Sequence, residues 1–202
     1  MITIPRPPEG ITPVGFWKEW LPEALKEFFQ VIRDNAGDLE AVLSVRVEGD
    51  QGCDWSVLVS RGEVELREEL IPGATVTLAL SEKDFHDAVV GRRDELIPGK
   101  NPLEGELVPA EIAATIQRTV SVLEKIKGSL LFVAAHPEDP FKCLLRFQGD
   151  FKDSPDSVVA IDQEYLQEMK VSGIGIMAAF MSGKIRVEGA MDLILNFAPL
   201  VM

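Results

Sequence analysis

The residue types that do chemistry are few in this sequence, and their spacing fits none of the common catalytic motifs. The two histidines, His86 and His136, lie outside any HExxH metal-binding motif, and the chain has no nucleophile elbow. The two cysteines, Cys53 and Cys143, lie in apolar stretches and form no CxxC or Cys/His cluster. These patterns favour surface or capping histidines and reduced core thiols over a metal ligand, a base or a nucleophile.

Two further patterns come close to a binding motif without completing it. A Gly-Lys pair precedes Ile185, where a phosphate-binding loop would need Ser or Thr. Asp150, Asp153 and Asp156 recur at every third residue, whereas a calcium-binding loop places its ligands at alternate positions. We therefore expect no catalytic residue, no metal and no cofactor, and a solvated turn at these aspartates.

The composition argues against polyanionic partners. The chain of 202 residues has 33 Asp and Glu against 20 Lys and Arg, which gives a formal net charge of -13 at pH 7. Nucleic acids are bound through Lys and Arg that neutralise phosphates, and an anionic membrane surface would repel this chain. The first residues lack the apolar core of a signal peptide, and the apolar runs are too short to span a bilayer. The expectation is a cytoplasmic protein that binds no nucleic acid and does not insert stably into membranes.

The segment 181–197 is the most informative part of the chain, because it combines a turn, a strand and a helix. The turn is predicted at 182–184, and Ile185 and Val187 then alternate with charged residues as in a half-buried strand. The helix is predicted to begin at Gly189. Its apolar stripe consists of Met191, Leu193, Ile194 and Phe197. The strand and the helix are therefore predicted to share one apolar seam.

The amino-terminal part predicts a tail followed by a helix with a wide aromatic face. Residues 1–15 contain four prolines, which favours an extended tail outside sheets and helix interiors. From Phe16 to Ile32 the apolar residues recur at helical spacing, with Pro22 suited to a first turn and Gly37 to a C-cap. This stripe is typical of a core-facing helix, and a ligand-lining role is the alternative.

Alternating residues then predict a meander of strands. Three strands are predicted at 43–47, 55–59 and 63–67, with hairpin turns at 50–52 and 61–62. A fourth strand at 75–80 leads to Ser81, which together with Asp84 has the Ser-x-x-acid pattern of a helix start, and this helix is predicted to end near Gly91. A meander closed by a helix indicates an α+β fold.

The same order of elements recurs in the second half of the sequence. A helix at 109–128, strands at 129–133 and 141–147, and a strand at 157–161 before a capping Asp162 repeat the first series. The segment Gly99–Gly105 likewise resembles Gly183–Gly189. We predict a Pro-rich tail, 1–15, and one compact domain, 16–202, with candidate repeat halves 16–107 and 108–202. The alternative to duplication is a chance echo between α+β segments.

Three segments of the chain resemble the sterol carrier protein type 2 family. They are Trp55–Gly62, similar to the family's Trp-bearing strand, Ala74–Phe85, similar to its strand-to-helix turn, and Phe180–Gly189, similar to its closing Gly-Lys strand. The resemblance implies an α+β fold: a mixed, mainly antiparallel sheet with helices packed on one face around an apolar tunnel. It also implies non-catalytic binding and carriage of a lipid, fatty acid or sterol-like ligand.

The chain departs from that family in length and in charge. Some ninety residues separate Gly91 from Gly183, which implies either a duplicated domain or a large insertion. Members that act on membranes are often basic, whereas this chain is acidic.

Apolar side chains would line the ligand site under this resemblance. Five of the six methionines fall in the last 34 residues, and unbranched Met suits adaptable pockets, with gap-filling core Met as the alternative. The ligand is expected between the sheet and the apolar faces of the helices at 17–29 and 191–197. The expected lining residues are Trp17, Trp20, Phe28, Phe85, Ile176, Met177, Phe180, Met181, Met191, Ile194 and Phe197.

The second half is the expected binding half if only one holds ligand, because Phe180, Met181 and Met191 flank its strand. The competing hypothesis is an interaction module, in which the same apolar face forms a homodimer or docks on a partner enzyme.

Overall fold

One mixed sheet with helices packed against it makes up the part of the chain that the computed structural model describes, residues 6–35, 37–90, 109–148, 154–172 and 176–197. The strands are β1 (Glu40–Glu48), β2 (Cys53–Ser60), β3 (Glu63–Arg67), β4 (Val76–Ser81), β5 (Gly128–Ala135), β6 (Phe141–Phe147), β7 (Ser157–Asp162) and β8 (Ile185–Gly189). The helices are α1 (Pro13–Gly15), α2 (Leu21–Ala24), α3 (Lys26–Asn35), α4 (Glu82–Val90), α5 (Pro109–Leu123), α6 (Gln163–Ser172), α7 (Ile176–Met181) and α8 (Met191–Phe197). A π-helical turn, Phe16–Trp20, joins α1 to α2.

The strand order in the described sheet is β3-β2-β1-β4-β6-β5-β7-β8. The pairs β1–β4 and β5–β7 are parallel, and the remaining neighbours are antiparallel. The mixed, mainly antiparallel sheet predicted from the sequence is therefore confirmed.

The register of the strands puts the strand residues of the two core clusters on one face of the sheet, because residues directly opposite each other point to the same side. One row of partners crosses the sheet through Trp55, Val45, Leu78, Leu145 and Leu130. The helices supply Trp17, Phe85, Tyr165 and Leu193 to the two core clusters on this face. Burial of this face stabilises the fold at roughly 25 cal/mol per Å² of apolar surface.

The opposite face carries a buried polar pair. The hydroxyls of Ser44 and Ser56 lie 2.7 Å apart, and Ser56 also donates to the carbonyl oxygen of Glu69 at 2.7 Å. The backbone N–H of Ile71 donates to Ser44 Oγ at 3.4 Å. These bonds hold the segment after β3 against the sheet.

Local signals in the sequence fix most of the element ends. Ser81 Oγ accepts the backbone N–H of Asp84 at 3.0 Å, as predicted for the start of α4. The β2–β3 hairpin turns at Arg61 and Gly62, which have φ of +50° and +79°. The helix predicted to run to residue 128 ends earlier, at Leu123, because Gly128 already begins β5.

Helical structure begins inside the range assigned to the amino-terminal tail. Thr12 Oγ1 accepts the backbone N–H of Gly15 at 3.0 Å, and Pro13 occupies the first turn, where its missing N–H costs nothing. The long helix predicted from Phe16 is also interrupted at Leu25, whose φ of -100° and ψ of 9° separate α2 from α3.

The connectivity of the first half recurs in the second. In each half a helix precedes a strand, that strand pairs with an antiparallel and a parallel neighbour, and a helix follows the parallel neighbour. The segment Gly99–Gly105 lies outside the described residues, so its likeness to β8 is untested. The division into repeat halves stays a prediction.

Candidate functional site

Four buried aromatic rings meet over β1, β2 and β4, and we call Phe16, Trp17, Trp55 and Phe85 the aromatic cluster. Phe16 contacts Trp17 edge to face at 5.3 Å between ring centroids, and it contacts Phe85 in the same way at 5.3 Å. Trp17 and Trp55 are nearly parallel, with centroids 6.0 Å apart. Such pairs stabilise a core beyond their buried area.

The helix geometry explains how adjacent rings reach one cluster. The π-helical turn Phe16–Trp20 puts both Phe16 and Trp17 in the core, with exposed fractions of 8% and 5%. π-Helical turns are rare and occur frequently at functional sites. The Ser81 cap then fixes the start of α4 so that Phe85 meets Phe16 from the other side.

The two stacked indoles carry buried polar groups. Trp17 Nε1 and Trp55 Nε1 are shielded from solvent and have no hydrogen-bond partner among the described residues. A buried donor without a partner costs about 1–3 kcal/mol. The aromatic cluster is therefore apolar around its rim but has two unsatisfied donors inside.

Large apolar side chains remain exposed at the opposite end of the chain, and we call Phe180, Met181, Met191 and Leu195 the carboxyl-terminal apolar surface. Their exposed fractions are 37%, 79%, 42% and 53%. In α8, Met191 and Leu195 are four residues apart and so share one side of the helix. The neighbouring Leu193 is buried in the core, so the helix has both a packed and an unpacked side.

A tight turn and a glycine position this surface. After α7, the backbone N–H of Gly183 donates to the carbonyl of Phe180 at 2.9 Å, and that of Lys184 donates to Ala179 at 3.0 Å. The turn predicted at 182–184 is therefore confirmed. Gly189 has φ of +94°, and a Cβ there would collide with the backbone of Asp156, so only glycine fits between β8 and α8.

The structure distributes the predicted lining residues over several places. Trp17 and Phe85 belong to the aromatic cluster, Trp20 packs against it, and Phe28 packs on Val31 in a separate small group. Ile194 packs on the core beneath α8. Phe180, Met181 and Met191 form part of the carboxyl-terminal apolar surface. The side chains of Ile176, Met177 and Phe197 lie outside what the structure describes.

The two main groups lie over different strands of the sheet. The aromatic cluster packs over β1, β2 and β4, whereas α8 packs over β5 and β7. The nearest of these strands, β4 and β5, are two spacings apart, which is about 10 Å from about 4.8 Å per spacing. The two groups are therefore distinct apolar regions of the same face.

One central residue of the aromatic cluster was missing from the predicted lining. Trp55 lies on β2 within the segment Trp55–Gly62 that carries the family resemblance, but the alternation there predicts only a strand residue. Its partner in register, Val45, and its ring partner, Trp17, come from different parts of the chain. The signal that could have found it is a Trp on the apolar side of an alternating strand.

The polar and reactive groups sit in structural roles. Burial raises the pKa of the Cys53 thiol to about 11 and that of the Cys143 thiol to about 12, so both are protonated at neutral pH. His86 Nε2 bonds the carbonyl oxygen of Glu9 at 2.6 Å. No three His, Cys, Asp or Glu side chains among the described residues are arranged to hold a metal ion.

One of the three spaced aspartates is within the described ranges, and it ties strands together. Asp156 Oδ2 accepts from both the backbone N–H and the hydroxyl of Ser129, at 2.8 and 2.9 Å. Asp156 is exposed in a bend, as expected for a solvated turn, and its carboxylate also holds the start of β7 against β5. Asp150 and Asp153 lie outside the described residues. Within the described residues, none of the helices has the length and apolar character needed to cross a membrane.

Comparison with known proteins gives structural likenesses only. No family model matches the sequence, and no curated protein matches it. The crystal structure of sterol carrier protein 2 like 2 from Aedes aegypti matches 45% of this chain and 95% of its own, with 20% identity and a TM-score of 0.32. The solution structure of palmitated SCP2L2 from Aedes aegypti matches 88% of this chain and 90% of its own, with 11% identity and a TM-score of 0.23.

A third likeness is to a UbiJ-SCP2 ubiquinone synthesis protein. It covers 90% of this chain and 89% of its own, with 13% identity and a TM-score of 0.23. TM-scores this low do not establish a shared fold, so neither a family nor a ligand follows from these likenesses.

Proposed function

We propose that this protein binds and carries a lipid or another long apolar ligand on the helix-covered face of its sheet, without catalysing a reaction on it. The observation that carries this proposal is the carboxyl-terminal apolar surface, where side chains as large as Phe180 and Met181 are exposed beside a packed core. Contiguous exposed apolar side chains mark binding surfaces in soluble proteins, and Met191 and Leu195 lie side by side on α8. The resemblance of Trp55–Gly62, Ala74–Phe85 and Phe180–Gly189 to the sterol carrier protein type 2 family supports the same proposal.

Burial of an acyl chain is the main source of free energy for such binding. Burying an acyl chain gains about 0.8 kcal/mol per CH2, so half of a ~16-carbon chain supplies ~6 kcal/mol. The flexible thioethers of Met181 and Met191 can adapt to ligands of different shape. Polar groups of the protein then need only orient the head group. The enclosed tunnel implied by the resemblance stays part of the proposal.

A second candidate function is an interface with another copy of the chain or with a partner enzyme. The observation that favours it is the 79% exposure of Met181, because a side chain so far out in solvent suits a contact surface better than a cavity wall.

The proposed setting is the cytoplasm. Both cysteines are free and both thiols are protonated at neutral pH, which suits a reducing compartment.

The two candidates separate through one substitution. Phe180→Asp puts a charge on the carboxyl-terminal apolar surface, and Val171→Asp is the matched control, because Val171 is an apolar residue on α6 that is 91% exposed. Native mass spectrometry of the purified proteins measures retained lipid, and size-exclusion chromatography measures the oligomeric state. Carriage predicts that Phe180→Asp loses the lipid and keeps its oligomeric state, whereas Val171→Asp keeps both.

The interface candidate predicts instead that Phe180→Asp changes the oligomeric state while Val171→Asp does not. Carriage is excluded if the unmodified protein is bare and its melting temperature does not change on adding palmitic acid or cholesterol.

A further inference from the structure

The aromatic cluster contains two indole N–H donors that have no hydrogen-bond acceptor in the described part of the chain. Trp17 and Trp55 are 5% and 6% exposed, and neither indole Nε1 has a hydrogen-bond partner in the part of the chain that the structure describes. Buried polar groups in proteins are paired with very few exceptions. Here two exceptions occur in rings that stack on each other, with their centroids 6.0 Å apart. Two such donors in one stack favour an acceptor supplied by a bound ligand.

The chemistry of indole restricts that partner. An indole N–H only donates, so its partner must supply an acceptor atom, such as the oxygen of an ester, a ketone or an alcohol. The rest of the cluster is apolar, with Phe16, Leu21, Leu80 and Phe85 among its buried residues. The ligand that fits is therefore largely apolar and carries an acceptor oxygen.

The charge of the surroundings restricts it further. A groove of about 600 Å³ runs along the helix that carries Trp17, and its lining includes Ile11, Trp20 and the carboxylates of Glu19 and Glu23. A ligand carboxylate would be repelled there, and two neutral N–H groups do not compensate for burying a charge. An uncharged ligand avoids both costs.

Aromatic contacts connect the groove to the donors. Trp20 lines the groove and stacks on Phe16 at 5.0 Å, and Phe16 in turn contacts Trp17 at 5.3 Å. These residues all lie in the π-helical turn. Neither Trp17 nor Trp55 lines the groove itself, so a ligand that bonds them must displace side chains of this turn.

We propose that Trp17 and Trp55 hold the polar end of an uncharged apolar ligand through its acceptor oxygen. This inference rests on the proposed carriage of an apolar ligand, and it adds a second place for such a ligand, in the amino-terminal half, together with the chemical class that fits there. The sequence predicts the carboxyl-terminal half as the binding half. The side chains that flank its strand, Phe180, Met181 and Met191, include no hydrogen-bond donor comparable to the two indoles.

The test uses the full chain labelled with nitrogen-15. The chain has three tryptophans, so three indole N–H signals are expected, and Trp→Phe variants assign them. The probes are methyl palmitate, palmitic acid and hexadecane, which share a long chain and differ in the polar end. Methyl palmitate is expected to move the Trp17 and Trp55 signals downfield and to bind more tightly than the other two.

Variants sharpen the result. Trp55→Phe is expected to weaken methyl palmitate binding roughly 2- to 12-fold, the factor for one neutral hydrogen bond, and to leave hexadecane binding unchanged. Hexadecane binding by the same variant is the internal control, because hexadecane has no acceptor atom for either indole. The titration of the unmodified protein remains decisive if a variant fails to fold.

The outcomes separate this inference from the proposed function. If methyl palmitate binds without moving the two indole signals, or hexadecane moves them equally, the acceptor site is wrong and carriage stands. Preference for palmitic acid would overturn the claim that the ligand is uncharged. If none of the three probes binds, both the inference and the proposed function are wrong.

Discussion

The two halves of the helix-covered face have the same strand connectivity but different kinds of core. Over β1, β2 and β4 the core is aromatic, closed to solvent and has two indole donors without a partner among the described residues. Over β5, β7 and β8 it is mainly aliphatic, with Leu130, Ile161 and Leu193 buried and apolar side chains of α7 and α8 exposed above them. A repeated connectivity therefore does not imply a repeated site, because the side chains supplied by the helices decide what each half can bind.

In the carboxyl-terminal half, truncating a buried core residue should cost more stability than truncating an exposed one. Phe147 is 0% exposed, so Phe147→Ala is expected to lower the free energy of unfolding by about 3–5 kcal/mol through lost burial and the cavity left behind. Phe180→Ala, at a side chain that is 37% exposed, should cost less than about 1 kcal/mol. Chemical denaturation of both variants measures the difference, and equal losses would show that α7 is packed in solution.

The glycine before α8 is expected to be the next most sensitive position. Gly189→Ala adds a Cβ that collides with the backbone of Asp156 at a positive φ, and the strain should cost about 1–3 kcal/mol. Gly183→Ala is the control, because Gly183 also has a positive φ, +71°, but open space around its Cβ position. A smaller loss for Gly183→Ala, measured by denaturation, isolates the collision from the backbone strain. The reverse order would contradict the position of α8 against β7.

The unpaired donors predict an unusually mild effect in the aromatic cluster. Trp55→Phe removes buried ring area but also removes a donor without a partner, so the two effects offset each other and the stability should change by less than about 1 kcal/mol. Thermal and chemical denaturation without added ligand check this. A loss of several kcal/mol would indicate that Nε1 has a partner in the free protein.

The smallest expected effect concerns the reactivity of the two thiols, which reports how deeply each is buried in its half of the sheet. Burial raises the pKa of Cys53 to about 11 and that of Cys143 to about 12, so the thiolate fraction is small at both. Reaction with a thiol reagent at pH 8 should therefore be slow at both, faster at Cys53, and should accelerate about tenfold per pH unit. Mass spectrometry after timed labelling measures the two rates. Rapid labelling of Cys143 would show that the sheet opens at β6.

The sequence predicts the local elements well because local residues determine them. Alternation gives β6 with its observed ends, Phe141–Phe147, and the Ser81 pattern gives the start of α4. Partners distant in sequence are not predictable in this way. Nothing local indicates that Trp17 meets Trp55, or that β4 pairs with β6, because an alternating strand can accept many neighbours.

The candidate site, like the fold, could be predicted from the sequence only in part. The types of the lining residues could be predicted, since large apolar residues on helices pack on a sheet. Their grouping could not, because Trp20, Phe28 and Ile194 have the same helical periodicity and yet pack in different places. The two unpartnered indole N–H groups also could not be predicted from the sequence, because whether an indole has an acceptor depends on all the residues that pack around it.

The joint between β4 and β6 has a consequence for cooperativity. Four residue pairs connect the halves there, from Val76 opposite Phe147 to Ala79 opposite Leu144. Phe147 also pairs with Gly128 of β5, so its side chain lies both at the β4–β6 contact and in the core of the second half. Neither half can melt without leaving the other an open strand edge and an incomplete core. The chain should therefore unfold in a single transition, and ligand bound in one half should raise the melting temperature of both.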